Sequence, residues 1–227
     1  MDEGLYLLLP DETTISLNKA NIEKCADEFW NGQIAAEVMK AAEFGRCHFC
    51  PMPSGICDAI RPVLPLIAKL DQFLSCDKIK LAYHDGNGIV YFRDSTMSEA
   101  LKYISILSLT TYCRSGQAYR KLFMGIVPAM NGKDIAQSIY LNLFFLCEGN
   151  RELADRMIRN FKQDITHTSR NQAQRLNLAC RNDAFMNAFV STQIITELLS
   201  FKFFEYMEKK FNQFSHHNPP AQALSSI

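Results

Sequence analysis

Three cysteines crowd one short stretch, Cys47-His48-Phe49-Cys50-Pro51-Met52-Pro53-Ser54-Gly55-Ile56-Cys57. Two thiols separated by two residues can face one ion, because the turn between them points both sulfurs the same way. A third follows across a loop whose prolines, Pro51 and Pro53, reduce the entropy lost on ordering. Three thiolates are one short of a closed tetrahedral zinc site. They are also one short of the usual four for an iron–sulfur cluster. The fourth ligand could be His48, Cys25, Cys76 or a residue of the helical body. His48 adjoins Cys47, which makes joint ligation of one ion sterically awkward. Cys76 stands just ahead of a predicted hairpin and is the preferred fourth, so the expected metal set is Cys47, Cys50, Cys57 and Cys76. Zinc is the expected ion and an iron–sulfur cluster the alternative. Two other readings compete. The Cys47/Cys50 pair could cycle between dithiol and disulfide, although the βαβ pattern that accompanies that motif is missing. Or all three could be ordinary cysteines of a buried loop that binds no metal.

Other chemistry-bearing groups are sparser. On a continuous helix Asp164 and His167 would share a face at i, i+3, the spacing of di-iron carboxylate sites, but the chain has no second such pair. The segment Arg151–Arg181 holds seven Lys/Arg against three Asp/Glu, whereas residues 1–44 hold nine Asp/Glu against three Lys. Arg159, Lys162, Arg170 and Arg175 could therefore form a phosphate- or acid-binding surface. Such residues are more often a solvated helix face, and they could also dock on the acidic N-terminal part. Over the whole chain Lys+Arg and Asp+Glu balance at 24 each, which disfavours a dominant nucleic-acid binder. The Gly-x-Ser-x-Gly, phosphate-loop, Gly-x-Gly-x-x-Gly and His-Glu-x-x-His signatures are missing from the sequence.

The elements that must position these groups are mostly helical. Leu5–Leu9 and Ile15–Leu17 read as short paired strands, with Pro10-Asp11 between them. Helical spacing follows over residues 18–43, broken at Asn31-Gly32 and ended by Gly45. Ile79, Leu81 and Tyr83 alternate with polar residues, and Asp85-Gly86-Asn87-Gly88 then turns the chain back, which predicts a hairpin over 77–94. Thr96 and Glu99 carry capping-box spacing ahead of a helix over 96–112. Further helices are expected near Gln117–Phe123 and over Gly132–Cys147, Arg151–Asp164, Thr166–Ala179 and Asp183–Phe211. The last carries Phe201, Phe203, Phe204, Tyr206, Met207 and Phe211.

The expected fold is thus mainly α (α+β), a bundle-like body of about six to eight helices with a minor antiparallel β element. Residues 1–214 read as one helix-rich domain, and 215–227, with His216-His217, as a flexible tail. The acidic start and short apolar run at Leu5 argue against an export signal. No apolar stretch reaches the roughly 18–20 residues that span a bilayer. The expected location is cytoplasmic, where eight cysteines need not form disulfides. The expected function is a non-enzymatic adaptor that binds another protein or its own copy, carrying a structural metal on the cysteine loop. A redox protein using the same thiols is the alternative. A nucleic-acid or phosphate binder through 151–181 is the weaker one.

Overall fold

The computed structural model describes residues 3–45, 47, 50–52, 55–88, 90–127, 130–198, 205 and 209. The expected aromatic segment at 201–211, the tail with His216-His217, and His48 lie outside the described residues.

The fold is mainly α with a small antiparallel sheet, as expected. Strands β1 (Gly4–Leu8) and β2 (Thr14–Ser16) pair with Leu7 opposite Ile15. Strands β3 (Lys78–His84) and β4 (Val90–Thr96) form the predicted hairpin with Leu81 opposite Arg93. Gly86 and Gly88 take positive φ in its turn, at 82° and 94°. The two hairpins are not separate elements. β1 also pairs with β3, Leu7 opposite Leu81, which gives one sheet in the order β2-β1-β3-β4. The alternation explains the join: Leu5, Leu7, Ile79 and Leu81 all point to one buried face, so the two strands share a core.

Helix α1 (Lys19–Trp30) starts at Asn18, whose side chain accepts from the Asn21 N–H at 2.8 Å. Helix α2 (Ala36–Glu43) follows and stops before Gly45, whose φ is 40°. Helix α3 (Leu64–Leu70) precedes the second hairpin. Helix α4 (Met97–Leu107) runs on through a π-helical turn, Ser108–Tyr112. Its expected capping box is half made. Thr96 Oγ1 accepts from the Glu99 N–H, but the Glu99 carboxylate takes Arg93 and Ser95 instead. A reciprocal box forms at Asn131 and Asp134, at the start of α5 (Gly132–Leu146). Between α4 and α5 lies a 3-10 helix, Gly116–Phe123.

Helix α6 runs unbroken over Arg151–Ala179. The sequence predicts a break near 164–166, but no Gly or Pro stands there. Ile165 is buried in the core, and Asp164 accepts a hydrogen bond from the Tyr119 hydroxyl at 2.5 Å, so tertiary contacts hold the helix straight through. Helix α7 (Ala184–Leu198) packs on α6 and α4. Ser105 of α4 and Thr192 of α7 join their hydroxyls in that buried contact. Among the described residues no helix is long and apolar enough to cross a membrane.

Asp183 opens α7, yet its carboxylate serves a distant loop. It accepts from the Ser75 N–H and hydroxyl, both at 2.8 Å, and from the Asn187 amide. The Ser75 N–H is the leading cause that holds this carboxyl below the usual 3.8. A carboxyl depressed in the folded state stabilises above its unfolded pKa, and that contribution is lost as pH falls through the folded value. Asp183→Asn is therefore expected to cost at most about 1 kcal/mol at neutral pH, because water screens this carboxylate. The cost should shrink on acidification below the ordinary carboxylate range. Urea unfolding of both proteins at neutral and acid pH measures the difference.

Candidate functional site

The cysteine loop leaves the end of α2 and folds back on it. The Cys57 N–H reaches the Ala42 carbonyl at 3.0 Å, and the Cys50 N–H closes a turn on the Cys47 carbonyl at 2.8 Å. These two bonds bring Cys47, Cys50 and Cys57 to one side. The π turn after α4 supplies a fourth thiol. Cys113 ends that turn, with its N–H on the Ser108 carbonyl at 2.9 Å. Cys47, Cys50, Cys57 and Cys113 line one cavity of about 20 Å³. Cys76 is not among them: it is exposed, on the turn ahead of β3. Cys25 is also elsewhere, on α1, where its sulfur lies 3.4 Å from Lys69 Nζ. The described cysteines are all free thiols. As they stand, the four thiols line the cavity wall without closing on a common point. Among the described residues no group of three or more His, Cys, Asp or Glu is arranged to hold a metal ion.

Helix α6 covers the loop with a polar stripe. Thr168, Asn171, Gln172 and Arg175 fall at i, i+3, i+4 and i+7, so they share one face. The Asn171 amide donates to Cys47 Sγ at 3.3 Å, and the Gln172 amide donates to Cys57 Sγ at 3.5 Å. On the far wall the Gly116 N–H donates to Cys113 Sγ at 3.4 Å. Three of the four sulfurs therefore accept an N–H. Arg175 donates to the Phe44 carbonyl at 2.7 Å, to the Gly45 carbonyl and to Gln172 Oε1 at 3.2 Å. A guanidinium only donates, so it fixes the Gln172 oxygen toward itself and the amide NH₂ toward Cys57.

The charge balance here is unusual. Arg175 is 2% exposed and lines the cavity, yet among the described residues no carboxylate pairs with it. A buried cation of this kind is costly unless negative charge lies nearby. It does sit at the carbonyl end of α2, the negative pole of that helix, which compensates in part. Burial pushes the Cys113 thiol up to about 11, and the N–H groups of Gly116 and Ser115 partly oppose that. Arg114 and Asp58, 3.0 Å apart, close the rim.

Gly116 is required by this packing. A Cβ there would run into the backbone carbonyl of Leu109, inside the distance any side chain tolerates. Gly116→Ala is expected to cost about 1–3 kcal/mol and to pull the N–H away from Cys113. Chemical denaturation reads the first effect.

The remaining sequence candidates are dispersed. Asp164 faces Tyr119, whereas His167 Nε2 meets the Asn171 amide at 3.3 Å, so the two do not converge on one ion. Arg175 does not lie on a solvated face, one reading of the charge pattern, but is buried against the Phe44 and Gly45 carbonyls at the end of α2. Among the described residues, the clefts of about 540 and 910 Å³ carry no cysteine in their walls, although one shares Asp58 and Arg114 with the thiol cavity. One of about 540 Å³ is lined by Asp27, Arg61, Asp58 and Arg114, which pair with one another. Cys113 and the α6 stripe escape sequence reading for different reasons. Cys113 follows an apolar run and looks like a small core residue. The stripe carried a legible signal, four polar residues at helical spacing, which the charge reading of 151–181 obscured.

No family model matches the chain, and no curated protein or solved structure matches it significantly.

Proposed function

We propose that this chain is a non-enzymatic protein that works by binding another protein chain, with the Cys47/Cys50/Cys57 loop serving as a structural, metal-held lock. The observation that carries the binding reading is the second apolar stripe of α5. Ile135, Ile139 and Leu143 face the core, but Leu141, Phe144 and Phe145 fall at i, i+3 and i+4 on the outside. Phe145 is 72% exposed, with its ring edge-on to Phe144 at 6.0 Å. Contiguous aromatic surface of this kind marks contact sites more often than solvent-facing helix.

A second copy of this chain is the first partner to test. Light scattering is then expected to give a solution mass above the 25.9 kDa of one chain. Phe145→Asp should return it to the monomer value. Since Phe145 is exposed, the substitution should change stability by no more than about 0.5 kcal/mol. A wild type at monomer mass would count against self-association, and an unchanged mass in Phe145→Asp would count against this face.

A further inference from the structure

We infer that Cys113, with Cys47, Cys50 and Cys57, completes a four-thiolate site for a single zinc ion, for which buried Arg175 is the counter-cation. The inference rests on reading the loop as a metal site and goes further in naming the fourth ligand, the ion and the groups that hold its charge. Four thiols from two separate segments line one cavity, although their sulfurs do not close on a common point as they stand. The N–H donors from Asn171, Gln172 and Gly116 suit sulfurs that carry negative charge. Zinc on four thiolates is a net dianion, and Arg175 supplies the cation that such a centre needs in a dry interior. Without it, the same guanidinium is a buried charge compensated only by carbonyls.

Size chooses between the metals that four thiolates favour. The cavity, about 20 Å³, has room for roughly one water-sized sphere. A single ion fits. An iron–sulfur cluster, with several irons and sulfides, would require the loop to be rebuilt. Zinc binding needs the sulfurs to turn inward, to about 2.3 Å from one point. The S–H protons leave to solvent as the Zn–S bonds form, and no oxidant or reductant takes part.

X-ray absorption at the zinc edge tests this on the full chain loaded with zinc. The expected first shell is four sulfurs at about 2.3 Å. Cys76→Ser, at an exposed position, should keep all four, and Cys113→Ser should replace one sulfur with oxygen or nitrogen. If Cys113→Ser fails to fold, the wild-type and Cys76→Ser spectra still decide. Three sulfurs plus a lighter atom in wild type, or loss of a sulfur in Cys76→Ser, would overturn Cys113 as the fourth ligand while leaving the loop a metal site. A wild-type chain that takes up no zinc would overturn the loop reading as well.

Discussion

Zinc at about a thousandfold over its Kd is expected to stabilise the chain by about 4 kcal/mol relative to the stripped protein. For a chain of this length that is a rise in Tm of about 8–16 °C. The expectation follows from where the four thiols sit. Cys47, Cys50 and Cys57 belong to the loop after α2, and Cys113 to the π turn after α4. An ion held by both would tie together two segments that also meet where Ser108 Oγ donates to the Ala59 carbonyl at 2.5 Å. The unfolded chain offers no preformed site, so binding free energy appears as folding free energy. A thermal melt with zinc and with excess chelator reads the shift. Coincident melts would mean that the thiols contribute as ordinary core residues.

Arg175→Met is expected to produce the second large effect, in two separable parts. The first is structural. The guanidinium joins α6 to the carbonyls of Phe44 and Gly45 at the end of α2, and losing those charged hydrogen bonds should cost about 3 kcal/mol. The second is electrostatic. Without the buried cation, the dianionic centre loses about 2 kcal/mol of support at an effective protein dielectric. Zinc affinity should then fall about 30-fold. Arg175→Lys separates the two. It keeps the charge but not the planar fork, so zinc affinity should largely survive while much of the stability loss remains. Competition titrations with a zinc indicator give the affinity, and urea unfolding gives the stability. Equal zinc affinity in Arg175→Met and wild type would remove the electrostatic role.

How much of this was readable from the residues depends on the range of the interaction. The 77–94 hairpin was legible because Ile79, Leu81 and Tyr83 alternate locally and the turn residues tolerate positive φ. The helical body was legible from apolar spacing and capping residues. The β1–β3 pairing was not, because nothing near Leu7 specifies Leu81 as its neighbour; only the shared core does. The continuity of α6 through Thr166 was hidden for a similar reason, since Tyr119 and the core hold Asp164 and Ile165 in place.

The thiol site divides the same way. The loop stood out because Cys47, Cys50 and Cys57 are near in sequence. A place just ahead of the hairpin favoured Cys76, but the chain carries it to the exposed turn ahead of β3, while the π turn carries Cys113 to the cavity. Arg175 looked like part of a basic surface because a charge count along a helix does not say which face is covered. Its burial is decided by the loop that α2 sends across α6.

The most direct test is the metal content and absorption spectrum of untagged protein purified without oxygen, beside the Cys47→Ser/Cys50→Ser variant. The expected result is one zinc per chain, no visible band, and loss of the zinc in the variant. Wild-type protein without metal would contradict the account, and iron with sulfide and a visible band would replace it with the redox reading.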